Sequence, residues 1–101
     1  MSATHLFALT AAAPDTLAAS GAFTFATAAA ALAACRERLQ RGNATLDLAG
    51  VSQADSAGLA VLLALAGDAS KRGGVLRIVN TPENLRALAQ LGEVDRLLGI
   101  A

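Results

Sequence analysis

The chain has 101 residues, 54% of them hydrophobic and 3% aromatic, and its eight Lys+Arg equal its eight Asp+Glu. That length suits one domain over 1–101, able to bury a core without disulfides or a structural metal. Charge balance, with Phe7, Phe23 and Phe25 as the only aromatics, leaves neither the basic footprint nor the stacking platform expected of a nucleic-acid binder.

In chain order, His5 to Thr10 reads as a possible first strand and Ala11 to Ser20, with Pro14 and Asp15, as a turn. Gly21-Ala-Phe-Thr-Phe-Ala26 reads as a second strand, its phenylalanines at period two, and a hairpin is the simplest connection. Thr27 can cap a helix to about Arg41, with Ala28, Leu32, Cys35 and Leu39 at helical spacing and Gly42 as its stop. Cys35 falls on the apolar stripe, where a lone thiol acts as a small core hydrophobe and suits a reducing compartment. Residues Leu17 to Cys35 carry no charge, but Ser20, Gly21, Thr24 and Thr27 interrupt them and no Lys or Arg precedes them. Neither a membrane span nor an export signal is expected there.

The strand Thr45-Leu-Asp-Leu-Ala49 leads through Val51–Asp55 into a helix from about Ser56 to Lys71, stopped by Gly73-Gly74. Val75-Leu-Arg-Ile-Val79 reads as a strand in a covered sheet. Thr81 and Pro82 open a third helix, with Leu85, Leu88 and Leu91 on one stripe and Gly92 as its stop, and Val94 to Ile100 forms a last short strand or turn. Strands separated by helices require parallel crossovers, and the opening hairpin adds an antiparallel edge. The expected fold is therefore α/β, a mixed, mainly parallel sheet packed with helices.

Asp55 and Ser56 carry the clearest functional signal. As a pair they read first as N-cap residues. A phosphate on Ser56 would also meet the positive end of the helix dipole, so a charge switch fits the same place. Within the helix, Leu59, Leu62, Leu63 and Ala66 form the stripe expected against the sheet, while Ala57, Val61, Ala64 and Leu65 fall away from it without a charge between Asp55 and Asp68. Either neighbouring helices or a protein partner must cover that second face.

Enzymatic chemistry finds little support. Gly73-Gly74 follows a helix and precedes a strand, the wrong context for a phosphate-binding loop. His5 and Cys35 make neither a metal cluster nor a nucleophile and base pair, and the carboxylates are dispersed. A binding module without catalytic residues, cofactor or metal is expected.

The strand Leu46-Asp-Leu-Ala-Gly-Val51, the loop Asp55-Ser-Ala-Gly-Leu59, the turn Lys71-Arg-Gly-Gly74 and Val94-Asp-Arg-Leu-Leu98 resemble the STAS domains, over roughly Gly21 to Ile100. In antagonist members of that family the hydroxyl residue after the aspartate is phosphorylated by a partner kinase, which by motif position is Ser56. These members often have a second serine where this chain has Ala57. Gly21-Ala-Phe-Thr-Phe-Ala-Thr-Ala28, Ala57-Gly-Leu-Ala-Val-Leu-Leu63 and Asn80-Thr-Pro-Glu-Asn-Leu-Arg-Ala-Leu-Ala89 resemble more closely the small STAS subunit of the Mla-type phospholipid-transport ABC complex. That resemblance implies a cytoplasmic accessory subunit, held at the inner membrane through a complex with an ATPase subunit and a permease, and without direct membrane insertion. Docking is then expected through Asp55, Ser56, Ala57, Val61, Ala64, Leu65 and Asp68, whether or not Ser56 is phosphorylated. The alternative implied by the same family is an anti-sigma factor antagonist that binds a serine kinase. A small-ligand role lacks convergent polar groups to define a pocket.

Overall fold

A computed structural model describes residues 6–40 and 42–100 of the chain. His5 and the expected helix end at Arg41 lie outside the described residues. Strand β1 (Ala8–Ala13) pairs antiparallel with β2 (Thr16–Phe23), which pairs in parallel with β3 (Ala44–Ala54) and through it with β4 (Leu76–Val79). The sheet order β1-β2-β3-β4 gives the expected mixed, mainly parallel sheet.

The hairpin is tighter than its residues suggested. Ala11 to Ser20 was expected as a turn, yet only Pro14 and Asp15 turn, with Asp15 at φ 64° and its carbonyl accepting from the Thr45 N–H at 2.7 Å. Alanine and serine have little strand preference of their own, so the ladder and the tie to β3 decide the strand boundaries. For the same reason β3 runs five residues past Ala49: Gly50 to Ala54 continue the pairing with Ser20 to Phe23. Gly50 is required there, since a Cβ would lie 2.9 Å from that of Ser20 and 3.0 Å from the Ala19 carbonyl oxygen.

Helix α1 (Ala28–Arg38) ends earlier than expected. Thr27 does precede it, but its hydroxyl donates backward to the Ala22 carbonyl at 2.8 Å and accepts from the Thr24 N–H, so it fixes the preceding turn instead of capping the helix. Helix α2 (Ser56–Lys71) has the expected bounds and ends with Gly73 at φ 76°. Helix α3 (Glu83–Leu91) ends at Gly92 as expected, although Gly92 keeps φ −83° and the left-handed conformation falls to Glu93 at φ 60°. The tail forms a short helix, α4 (Asp95–Leu98), where a short strand or turn was expected.

The helices share one core with one face of the sheet. Leu17, Ala19, Leu46, Leu48, Leu76 and Ile78 point toward Ala31 and Cys35 of α1, Leu59, Leu62 and Leu65 of α2, and Leu85 and Ala89 of α3. On the opposite face Ser20, Asp47 and Val79 are half-buried and Arg77 is exposed, so β4 is covered on one side only. Burial pushes the Cys35 thiol up to about 11.

The second face of α2 is also internal. Val61 and Leu65, expected to face a partner, retain 4% and 2% of their accessibility and belong to the same core. The reason is that α1 packs along α2, an association braced by Arg36 Nε donating to Asp68 Oδ2 at 2.8 Å. The exposed positions of α2 are instead Ser56, Ala60, Gly67, Ser70 and Lys71. Replacing Leu65 with Ala is expected to cost about 2–5 kcal/mol in chemical denaturation, and Val61→Glu to unfold the isolated domain as read by circular dichroism. A folded Val61→Glu variant would contradict this packing.

Candidate functional site at the start of helix α2

The site is built where β2 and β3 end and α2 begins. Asp55 has extended backbone at φ −143°, and its Oδ1 accepts from the N–H groups of Ala57 at 2.9 Å and Gly58 at 3.4 Å. Asp55 is therefore the cap. Ser56, the first helical residue, is left exposed. A negative group placed on its oxygen would sit at the positive end of a 16-residue helix.

Gly58 explains how closely that helix approaches the sheet. A Cβ at this position would lie 2.5 Å from the Phe23 carbonyl oxygen and 2.9 Å from its ring, so any larger residue would push the first turn off β2. Phe23 is buried and stacks against Phe7, with ring centroids 5.7 Å apart. The other Asp55 oxygen, Oδ2, accepts from the Phe25 N–H at 3.0 Å, binding the loop after β2 to the start of α2.

Phe25 was expected to lie in a strand with Phe23, but the chain leaves the sheet at Phe23. Its side chain is 85% exposed. Beside it runs a shallow apolar groove of about 300 Å³ between α1 and α2, lined by Ala28, Ala29, Leu32, Ala57, Ala60 and Val61. The expected docking residues thus separate into groups. Asp55, Ser56 and Ala57 come together at the helix start, with Val61 reaching only the groove floor. Ala64 is half-buried further along, Leu65 is core, and Asp68 is already paired with Arg36. Sequence reasoning missed Phe25, Ala60 and the α1 side of the groove, because a face of alanines has no hydropathy contrast to reveal it.

A cleft of about 390 Å³ lies at the other end of the sheet, between the tip at Pro14 and Asp15 and the end of α1 at Arg38 and Leu39. It is remote from Ser56. Among the described residues no three of His, Cys, Asp and Glu are grouped to hold a metal ion, and no helix is long and apolar enough to cross a membrane.

A mixed sheet with helices on one face, and a capped helix start presenting a serine beside apolar surface, define a small α/β module. Residues 8–99 match the family model described as "Mlab, STAS domain", and the chain belongs to the STAS domain family. A search among curated proteins finds no match. Among solved structures the chain is similar to the anti-sigma factor antagonist SpoIIAA in its unphosphorylated form, with TM-score 0.60 and 16% identity over 93% of this chain and 99% of that one. That likeness is one of fold.

The carboxylates of the site region predict a pH response. Asp55 is held below the usual carboxylate range, first by the Phe25 N–H and then by those of Ala57 and Gly58, against the opposing effect of desolvation. Asp68 is lowered chiefly by its hydrogen bond from Arg36, and Asp47 by that from the Asn80 side chain and then by the Ala49 N–H. A depressed folded value favours the folded state above the unfolded value, and this contribution is lost as pH falls through the folded one. Thermal stability is therefore expected to fall below about pH 4, with a shallower acid decline in Asp55→Asn, as measured by melting curves across pH. An identical acid decline in that variant would remove Asp55 from the account. Gly58→Ala should destabilise the domain by about 1–3 kcal/mol in the same assay run at neutral pH.

Proposed function

We propose that the chain is a non-catalytic accessory subunit of a phospholipid-transport ABC complex of the type that maintains outer-membrane lipid asymmetry. It binds the cytoplasmic ATPase subunit through the face around Ser56 and the α1–α2 groove. The observation that carries this reading is the match of residues 8–99 to the family model described as "Mlab, STAS domain". The geometry supports it: exposed Ala60 lines an apolar groove whose walls begin at Ala57, next to exposed Ser56, and at Ala28, three residues after exposed Phe25, a combination suited to a protein contact. On this reading the chain resides in the cytoplasm and reaches the inner membrane through the ATPase and permease, which handle nucleotide and lipid.

The second reading, an anti-sigma factor antagonist that binds a serine kinase, rests on the exposed Ser56 hydroxyl one residue after the capping aspartate. There a phosphoryl group would add about two negative charges at the rim of the groove and disfavour an apolar partner.

Affinity purification of the tagged chain from membrane extract separates the two. Recovery of an ABC ATPase and permease with unmodified Ser56 is the expected result, and recovery of a soluble serine kinase with phosphorylated Ser56 would overturn it. Ala60→Glu, at an exposed helical position, should remove the ATPase from the eluate while leaving the circular dichroism spectrum unchanged.

A further inference from the structure

The segment Asn80-Thr-Pro-Glu-Asn84 leads into α3, and both of its asparagines reach across to β3. β4 pairs with β3 only from Ala44↔Leu76 to Asp47↔Val79, whereas β3 runs on along β2 as far as Ala54. Beyond Asp47 the side of β3 turned away from β2 therefore has no strand beside it. At one end of that stretch the Asn80 amide donates to Asp47 Oδ1 at 3.0 Å, and at the other Asn84 Nδ2 donates to the Ala54 carbonyl at 2.7 Å. Two side chains thus stand where a strand would have continued.

The Ala54 carbonyl and the Asp55 N–H belong to one planar peptide group. The carbonyl accepts from Asn84 while the N–H donates to the Phe23 carbonyl at 3.3 Å, so α3 and β2 grip that plane from its two sides. Its orientation fixes how Asp55 enters the α2 cap and hence where Ser56 is presented. Pro82 precedes α3 without a side-chain cap, and the burial of Leu85 and Ala89 is non-directional, so the two asparagines supply the directional contacts that register α3 on β3. Asn80 does so from the left-handed conformation at φ 55°, which asparagine adopts more readily than other residues with a side chain.

We propose that α3 is a lever on the Ser56 site, with Asn84 the positioning residue that transmits its placement to the Ala54–Asp55 peptide and Asn80 the latch that sets it on β3. The coupling is a property of the free chain; the use made of the site rests on the accessory-subunit reading.

The test is amide exchange of the free, full chain read residue by residue, with the β1–β2 hairpin as internal reference. Asn84→Asp keeps the size of the side chain but removes the donor at neutral pH. It and Asn84→Ala should each speed exchange at Asp55 and Ala57 about 3- to 10-fold while the hairpin amides stay within about twofold. Asn80→Gly permits the same backbone without the bond to Asp47, and should speed Asp55 and Ala57 about 2- to 5-fold, an effect that disappears once Asn84 is Ala. Unchanged exchange at Asp55 and Ala57 in both Asn84 variants, or equal speeding of site and hairpin, would overturn the positioning role. An equal Asn80→Gly effect in both backgrounds would overturn the lever. A wild-type chain that ignores the ATPase subunit while its variants show these local changes would support the coupling and strike the accessory-subunit reading.

Discussion

Gly58 against the end of β2 is the contact on which the rest of the site depends. With no side chain between them, the first turn of α2 lies against the Phe23 carbonyl and ring, close enough for one aspartate to cap the helix and reach the neighbouring loop. A methyl group at this position would separate the two elements and lengthen both sets of Asp55 hydrogen bonds. The requirement is one of distance. Gly58 has no positive φ, so what makes glycine necessary is the room it leaves.

From that contact follows a division of labour between two adjacent residues. Asp55 is occupied by five backbone relationships, three as acceptor through its carboxylate, one as acceptor through its carbonyl from the Leu59 N–H and one as donor to Phe23, and so belongs to the framework. Ser56, one position later, is turned out to solvent on the outermost line of the helix. The framework residue can hold the surface constant while the exposed one meets a partner or a modifying enzyme. Packing of α1 on α2 complements this arrangement by withdrawing Leu65 into the core and Val61 to the floor of a groove otherwise lined by Leu32 and alanines.

Much of this was legible in the sequence where local chemistry and tertiary structure agree. The α2 boundaries, the capping aspartate, the buried cysteine and the mixed sheet all come from strong signals: an apolar helix between Asp55 and Gly73, and apolar strands separated by helix-length segments. The hairpin and the length of β3 were hidden because Ala11, Ala12, Ala13, Ala18 and Ala19 have no strand pattern, and pairing alone decides them. The rotation of α2 was misjudged because it is apolar on nearly every side, so a helical wheel cannot say which flank α1 will cover. Phe25 was hidden by parity: it shares the phase of Phe23, and nothing local marks the point where the strand ends.

Cys35, sealed within α1 and held in its thiol form, gives this small domain an internal clock. An alkylating reagent reaches the sulfur only when α1 opens away from the sheet, so the rate of modification counts opening events without any added label. Because α1 also forms one wall of the apolar groove, an occupant resting there would hold that helix closed. Assembly would then register as protection of a sulfur that the occupant never touches.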